Sequence, residues 1–301
     1  AIKHDLDSGD TMRLIAILLA LWANHHPRSV ERWRRPDPFL RYLDWIWDRL
    51  PASADNRGAL RLAAGLLPPV LLFWLLQLWL DDWLLGIGEM LLGVWALVFL
   101  HGPGRVDDQV EEFLDAWREG RLDGARAAAA RLADREVEAV GDAQLPATAL
   151  EGLFWQSYRR LLGGIFWLLI IGPIGPVALR LAWLARDAAA ERGGTDELAR
   201  AADKVMHVLD WLPARAAALS FGLAGSFVHA FDGWRDSQEE PDAGLRELVT
   251  AAGLGALDVD RPPSDAEDVE DMLRDGRDLV GRSLMVWVAV AALLTIAGWL
   301  Y

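Results

Sequence analysis

The chain has 301 residues, of which 53% are hydrophobic and 25% charged, and its net charge is −14; membrane segments therefore alternate with very polar ones. That negative balance argues against nucleic acid as a partner, which needs clustered Lys and Arg. Without cysteine there is no disulfide, thiolate metal site or cysteine nucleophile.

Residues 1–11, AIKHDLDSGDT, precede a methionine and show no apolar pattern, so they read as a remnant added ahead of the chain proper. No cleavable signal peptide is read. The stretch 12–58 opens with a short apolar segment, Met12 to Ala23, and continues with amphipathic helices. His25 and His26 are adjacent and fall on different helix faces, which does not make a zinc site. The stretch 59–101 reads as a transmembrane hairpin. Ala59 to Leu80, with Pro68 and Pro69 inside it, and Trp83 to Leu100 are each near the roughly 20 residues a crossing needs. Asp81 and Asp82 make the turn between them. Glu89 lies in the second segment, where a charge is costly and faces a partner or a cavity unless it reaches the interface. Many of the 16 tryptophans, among them Trp74, Trp79, Trp83, Trp95, Trp167, Trp183, Trp211, Trp287 and Trp299, suit the bilayer interface.

Region 102–160 is aqueous and helical. Val106, Val110, Phe113, Leu114 and Trp117 repeat at helical spacing, with Gly120 as a stop and an Ala- and Arg-rich helix following to Leu132. The carboxylates of Asp107, Asp108, Glu111 and Glu112 either offer oxygen ligands to Mg²⁺ or form a solvated face, with acids favoured near a helix N-terminus. Region 161–185 is the broken segment. Gly172-Pro173-Ile174-Gly175-Pro176 interrupts a long apolar run, and prolines and glycines both weaken a helix. Inside hydrocarbon, freed backbone groups survive only where protein or water satisfies them. Two half-helices, Leu161–Ile171 and Pro176–Ala185, are expected, each about 15 Å long, re-entering on the cytoplasmic side. Region 186–279 holds cytoplasmic or interfacial helices, with loops at Ser237–Asp242 and Val259–Ala266. Asp265 to Arg282 leads as a helix into the last crossing segment, within 280–301.

Arginines set the expected topology. Arg28, Arg32, Arg34, Arg35, Arg41 and Arg49 precede the hairpin, and Arg105, Arg118, Arg121, Arg126, Arg131 and Arg135 follow it, which places both flanks in the cytoplasm. No stretch alternates with period two, so no sheet is expected. The fold class is all-α: a polytopic helical membrane protein with a broken, re-entrant helix and cytoplasmic amphipathic helices. Lys3 and Lys204 are the only lysines, and neither sits in a G-x-x-x-x-G-K-[ST] frame.

Three stretches carry a resemblance: ALEGLFWQSYRRLLGGIFWLLIIGPIGP from Ala149, ADKVMHVLDWLPARAAALSFGLAG from Ala202, and GRVDDQVEEFLDAWREG from Gly104. Together they resemble the AmpE family, bacterial inner-membrane proteins associated with β-lactamase induction, over most of residues 12–301. The D-W-L-P-A-R element is shared with a wider superfamily that includes the CobD/CbiB adenosylcobinamide-phosphate synthases. Those synthases carry E-S-V-A-E-N ahead of the break and N-T-L-D-S after it. Glu151 matches the first acid. Phe154-Trp155-Gln156 stand where A-E-N would, Leu181 to Arg186 lack the Asn and Asp, Met206-His207 replace paired acids, and Trp22-Ala23-Asn24 replace an acid near the start. The resemblance thus implies the scaffold without the corrinoid amide chemistry.

On that scaffold Glu151, Arg159, Arg180, Asp210 and Arg215 are expected to converge on one interfacial cavity, with Gln156 and Arg160 beside them. Guanidinium forks suit a phosphate or carboxylate, although Arg159 and Arg160 could equally snorkel to lipid phosphates. Pro213 between Asp210 and Arg215 reads as a turn that starts a new helix. The implied function is a regulatory or sensor membrane protein binding an anionic small molecule or a partner, with Mg²⁺ and a nucleotide as open cofactors, membrane lipids around it and oligomerisation open. The alternative is a membrane-embedded enzyme for a phosphate-bearing or lipid-linked substrate. Transport is weaker, because no inverted repeat is visible.

Overall fold

A computed structural model describes residues 12–21, 36–50, 57–81, 87–102, 105–192, 196–239, 244–258 and 265–297. Among these residues every regular element is helical and no strand forms. In chain order the helices are α1 (Met12–Leu21), α2 (Asp37–Arg49), α3 (Arg57–Asp81), α4 (Ile87–His101) and α5 (Val106–Arg118). Next come α6 (Leu122–Ala133), α7 (Leu145–Ser157), α8 (Gly163–Ile171) and α9 (Ile174–Glu191). The last are α10 (Asp196–Ala224), α11 (Phe227–Glu239), α12 (Leu245–Leu257) and α13 (Ala266–Ala297). The expected contributions of His25, His26, Arg28, Arg32, Arg34, Arg35, Asp82 and Trp83, and of the loop 259–264, lie outside the described residues.

Among the described residues three stretches are long and apolar enough to cross a membrane: Gly58–Leu80, Ile87–Arg118 and Ala266–Ala297. The chain is an all-α membrane protein. It divides into two compact units, residues 1–103, 163–211 and 290–301 forming one, and 104–162 with 212–289 the other.

The first unit is built around its apolar helices. Leu67, Leu72, Leu75 and Trp79 of α3 are exposed, as suits a helix surrounded by lipid. One edge of α3 meets α2, which is amphipathic and buries Phe39, Leu43 and Trp47 at four-residue spacing. Trp47 Nε1 donates to Arg61 O at 2.9 Å. Arg192, after α9, donates to Asp44 at 2.6 Å and Asp48 at 3.0 Å and ties α9 to α2. Leu62, Ala96, Val177, Ala185 and Leu198 complete this core.

At two of the prolines inside helices a side chain replaces the missing backbone donor. Pro68 has no N–H for Ala64 O, and the Tyr42 hydroxyl donates to that oxygen at 2.7 Å. Pro213 likewise frees Leu209 O, which accepts from Trp167 Nε1 at 3.0 Å. This corrects the turn expected at D-W-L-P-A-R: Asp210 to Arg215 lie inside one continuous helix, α10. A single proline removes one bond, a side chain replaces it, and the alanines beyond it carry the helix on.

At Gly172 the outcome is different, and α8 and α9 meet at a sharp reversal. Gly172 has φ +77°, a backbone conformation that glycine adopts readily. A Cβ on Gly175 would lie 2.5 Å from Trp167 O, although eight residues along one helix would separate them by about 12 Å. The half-helices differ from their expected bounds. The first starts at Gly163, after one wider π-helical turn at Tyr158–Leu162. The second begins already at Ile174 and runs 18 residues, because the Ala-rich stretch past Ala185 continues it. The halves are therefore unequal, about 14 Å against about 27 Å.

The second unit is a helical bundle. α5 buries Val110, Phe113 and Leu114, ends at Gly120 with φ +68°, and pairs with α6. α7 is buried almost throughout. It receives α12 through Gly253, where a Cβ would meet the Phe154 ring, and α13 through Gly276, against Leu150. α11 and α12 come together through glycines: Gly233 faces Ala251 O and Gly255 faces His229 O. α11 extends to Glu239, so Ser237 to Glu239, expected as loop, are helical. The helix expected at Asp265–Arg282 continues unbroken into the last apolar segment as α13.

Candidate functional site

Two constellations of polar groups stand out, one in each unit. In the first unit they surround the helix break. Arg13 of α1 donates through Nε to Glu89 Oε1 of α4 at 3.0 Å, and both side chains are buried. Arg13 also donates to Leu169 O at 3.4 Å. Leu169 O is the carbonyl whose helical partner would be the missing N–H of Pro173. On the other side of the turn, Ile174 N donates to Gln77 Oε1 of α3 at 3.0 Å. A Cβ on Gly172 would fall 2.9 Å from Gln77 Nε2 and 3.4 Å from Glu89 Oε1. Three helices thus deliver Arg13, Gln77 and Glu89 to one reversal. This is the compensation that non-helical backbone at membrane depth requires. Glu89 faces a cation, which answers the cost of its burial.

In the second unit a groove of about 950 Å³ runs along α12. α12 packs against both α7 and α11, which form the two walls. The α7 wall contributes Gln144, Ala147 and Glu151; the α11 wall contributes His229, Asp232 and Asp236. Arg246 and Thr250 rise from α12, and Arg135 comes from the segment after α6. Arg135 is paired with Glu151 at 3.0 Å. Arg246 donates to Ala133 O, at the C-terminal end of α6, and its guanidinium lies 5.4 Å over the Trp155 ring. Its pKa is lowered, first by burial and next by the positive charge of Arg135. Two guanidinium groups are therefore crowded at this part of the groove. Along α11, Asp232 and Asp236 are one turn apart and share Arg235 at 3.5 and 3.4 Å, and Asp258 holds His229 Nδ1 at 2.8 Å.

Of the residues expected to converge, only Glu151 lines this groove. Arg159 is paired with Asp134, and Arg160 Nε donates to Gln156 Oε1 at 2.9 Å. Both arginines lie on the π-helical turn between α7 and α8, which explains why neither follows the α7 face that carries Glu151. Arg180 belongs to the first unit, where a Cβ on Gly102 would lie 2.9 Å from its guanidinium. Asp210 is buried on α10 in that unit, and Arg215 is half-buried further along the same helix. The acidic stripe is engaged with arginines. Arg105 and Arg277 face Asp107, Arg277 also pairs with Glu111 at 2.7 Å, and Arg131 pairs with Glu112. Among the described residues no three carboxylates or imidazoles gather as a metal site.

Arg13, Gln77, Arg135, Arg246 and the acids of α11 were not singled out from the sequence. The glycines were the available signal for the groove, since a strand or helix glycine often marks close backbone approach. Gly233 and Gly255 on consecutive segments announce two helices in tight contact.

Comparison with known proteins places the sequence among relatives. The chain is 29% identical over 261 residues to the cobalamin biosynthesis protein CobD of Chromobacterium violaceum, covering 78% of each chain. It is 29% identical over 277 residues to CobD of Stutzerimonas stutzeri, covering 82% of this chain and 84% of that one. Protein AmpE of Shigella flexneri is 30% identical over 154 residues, 48% of this chain and about half (51%) of that protein. No solved structure matches. The family described as regulatory signalling modulator protein AmpE matches residues 12–301, and the chain belongs to that family.

Proposed function

We propose that this chain is a multi-pass protein of the bacterial inner membrane that acts as a regulator in β-lactamase induction and peptidoglycan recycling, by binding a charged small molecule in the groove along α12. Family membership supports the regulatory role. The observation that carries the site is that Arg135 and Arg246 line one groove, each with several guanidinium donors, a pairing that suits an acidic group. The α11 wall adds a second requirement. Asp232 and Asp236 both pair with Arg235 of the same helix, so the charge of this wall is largely met within α11 and it calls for hydrogen-bonding groups on the ligand rather than for a net charge. In this reading both ends of the α8–α9 reversal lie on the cytoplasmic side, flanked by Arg159 and Arg160 before it and Arg180 and Arg186 after it.

The test compares β-lactamase induction by a β-lactam in cells carrying wild type, Arg135→Ala or Asp232→Ala as the only copy, beside thermal unfolding of each purified protein. Both variants should change induction while unfolding stays near wild type, because both side chains are solvated and exposed pairs contribute little. Arg215→Ala and Arg215→Lys in the same assay ask whether the D-W-L-P-A-R element takes part. A Lys cannot reproduce a bidentate fork, so only partial rescue is expected. Unchanged induction in Arg135→Ala and Asp232→Ala would remove the groove from the function. Restoration of corrinoid amide synthesis in a synthase-deficient strain would instead support the enzyme reading.

A further inference from the structure

Three segments are apolar enough to cross a membrane by composition, yet the second unit exposes a further apolar stripe outside them. Leu212, Leu219 and Leu223 of α10 and Phe227, Val228 and Phe231 of α11 are each between 43% and 66% exposed. The opposite face of α10, with Ala214, Ala217, Ala218 and Phe221, is buried. A contiguous apolar face of this size is uncommon on a surface in contact with water.

The position of the stripe against α13 says what covers it. Ser283 of α13 donates to Ser220 O of α10 at 3.3 Å. One turn away, a Cβ on Gly225 would lie 3.1 Å from Leu279 Cδ1. The higher number on α10 matches the lower one on α13, so the two helices run antiparallel. From Leu284, just beyond Ser283, α13 carries no charged residue. From these two contacts, α10 read from Ser220 back toward Leu212 heads the same way as α13 read from Ser283 into its apolar stretch, over about 12 Å of helix. Met285, on the apolar part of α13, is 73% exposed, as a lipid-facing residue is. At the other end α11 divides into two faces. Phe227 and Phe231 are stacked and Phe231 packs on Trp234, whereas His229, Asp232 and Asp236 line the groove. An aromatic face opposed to a polar one makes α11 amphipathic, as a helix lying in the membrane interface is.

We propose that residues 212–231 are a lipid-contacting segment, with the second half of α10 embedded beside α13 and α11 lying at the headgroup level. The occupant of the stripe is the acyl-chain region of the bilayer. Composition hides this because Pro213, Arg215 and the many alanines dilute the leucines. The inference stands independently of the ligand proposed for the groove, and it sets that groove at the membrane surface.

The natural chain has no cysteine, so single cysteines can be labelled without background. The full-length protein is reconstituted in phosphatidylethanolamine–phosphatidylglycerol vesicles, with a nitroxide at Leu212→Cys, Leu219→Cys, Leu223→Cys or Phe227→Cys. Leu293→Cys of α13 serves as the lipid reference and Glu138→Cys as the aqueous one. Power saturation then compares relaxation by oxygen, which concentrates in lipid, with relaxation by a water-soluble nickel chelate. Labels at 212, 219 and 223 should follow the reference at 293, with oxygen favoured, and the label at 227 should fall between the references. Preference for the nickel chelate at 219 and 223 would overturn the proposal in favour of a water-exposed face. Inaccessibility to both reagents would overturn it in favour of a protein partner, such as a second copy of the chain.

Discussion

Two proline-bearing regions of this chain respond differently to the same chemical loss. In α10, Pro213 removes one backbone donor and the helix continues. Between α8 and α9, Pro173 removes the equivalent donor and the chain reverses. Proline alone therefore does not decide the outcome. At Pro213 the stranded Leu209 O finds the Trp167 indole, and no neighbouring glycine offers another backbone path. At Pro173 the stranded Leu169 O finds Arg13, but Gly172 accepts a positive φ and Gly175 lets the chain lie against Trp167. Glycine supplies the reversal, and in both places a side chain from another helix donates to the stranded carbonyl.

The largest effect should come from removing the acid that holds Arg13 at the reversal. Glu89→Ala leaves a buried guanidinium without its carboxylate, a loss of about 3–5 kcal/mol for a broken buried pair. Unfolding of the detergent-solubilised protein by a denaturing surfactant should show it. The double variant Arg13→Met with Glu89→Leu should be milder than Glu89→Ala alone, since no charge is then stranded. If the double variant is the worse of the two, Arg13 matters chiefly as the donor to Leu169 O.

Gly175→Ala comes next. Its new methyl would lie 2.5 Å from Trp167 O and 2.6 Å from Trp167 Cβ, and neither can move without shifting the helix. Overpacking of this kind costs about 1–3 kcal/mol. Gly281→Ala, with nothing within 4 Å on the surface of α13, is the matched control and should be neutral or slightly stabilising. Equal behaviour of the two variants would mean that the reversal does not depend on close approach.

The contrast also explains what the sequence could convey. The G-P-I-G-P run announced the reversal because glycine and proline are local signals read from adjacent residues. The apolar spans at α3, α4 and α13 were legible for the same reason. Glu89 was recognisable as a costly charge, but its partner Arg13 lies 76 positions away on a short helix that composition alone does not distinguish. Pro213 read as a turn because the compensating indole of Trp167 is 42 positions distant. The groove was hidden for a related reason. Its arginines and acids come from four elements, and only the packing of α12 against α7 and α11 brings them together. Glu151 drew attention because its stretch resembles a family motif; Arg246 and Asp232 belong to none.

A double-mutant cycle isolates the rescue at Pro213. Trp167→Phe keeps most of the ring and removes the donor to Leu209 O, so an unsatisfied carbonyl should cost about 1–3 kcal/mol. In a Pro213→Ala background residue 213 regains an N–H for Leu209 O, and Trp167→Phe should cost much less. A coupling of about 1 kcal/mol or more is expected. Equal costs in the two backgrounds would mean that the indole contributes packing alone.

The same logic at Pro68 predicts the smallest effect. Tyr42→Phe removes the hydroxyl that donates to Ala64 O at 2.7 Å. Tyr42 is only partly buried, on the amphipathic helix α2. Water at that edge can replace some of the lost bond, so the loss should be about 0.5–1.5 kcal/mol. Pro68→Ala should again reduce it, by restoring the N–H that Ala64 O lacks. The two cycles together rank the breaks by depth: a larger coupling for Trp167 with Pro213 than for Tyr42 with Pro68 means that a stranded carbonyl costs more where water is scarcer. The reverse order would place Ala64 O, rather than Leu209 O, in the drier environment, and with it the α2–α3 contact deeper in the membrane than its half-exposed tyrosine suggests.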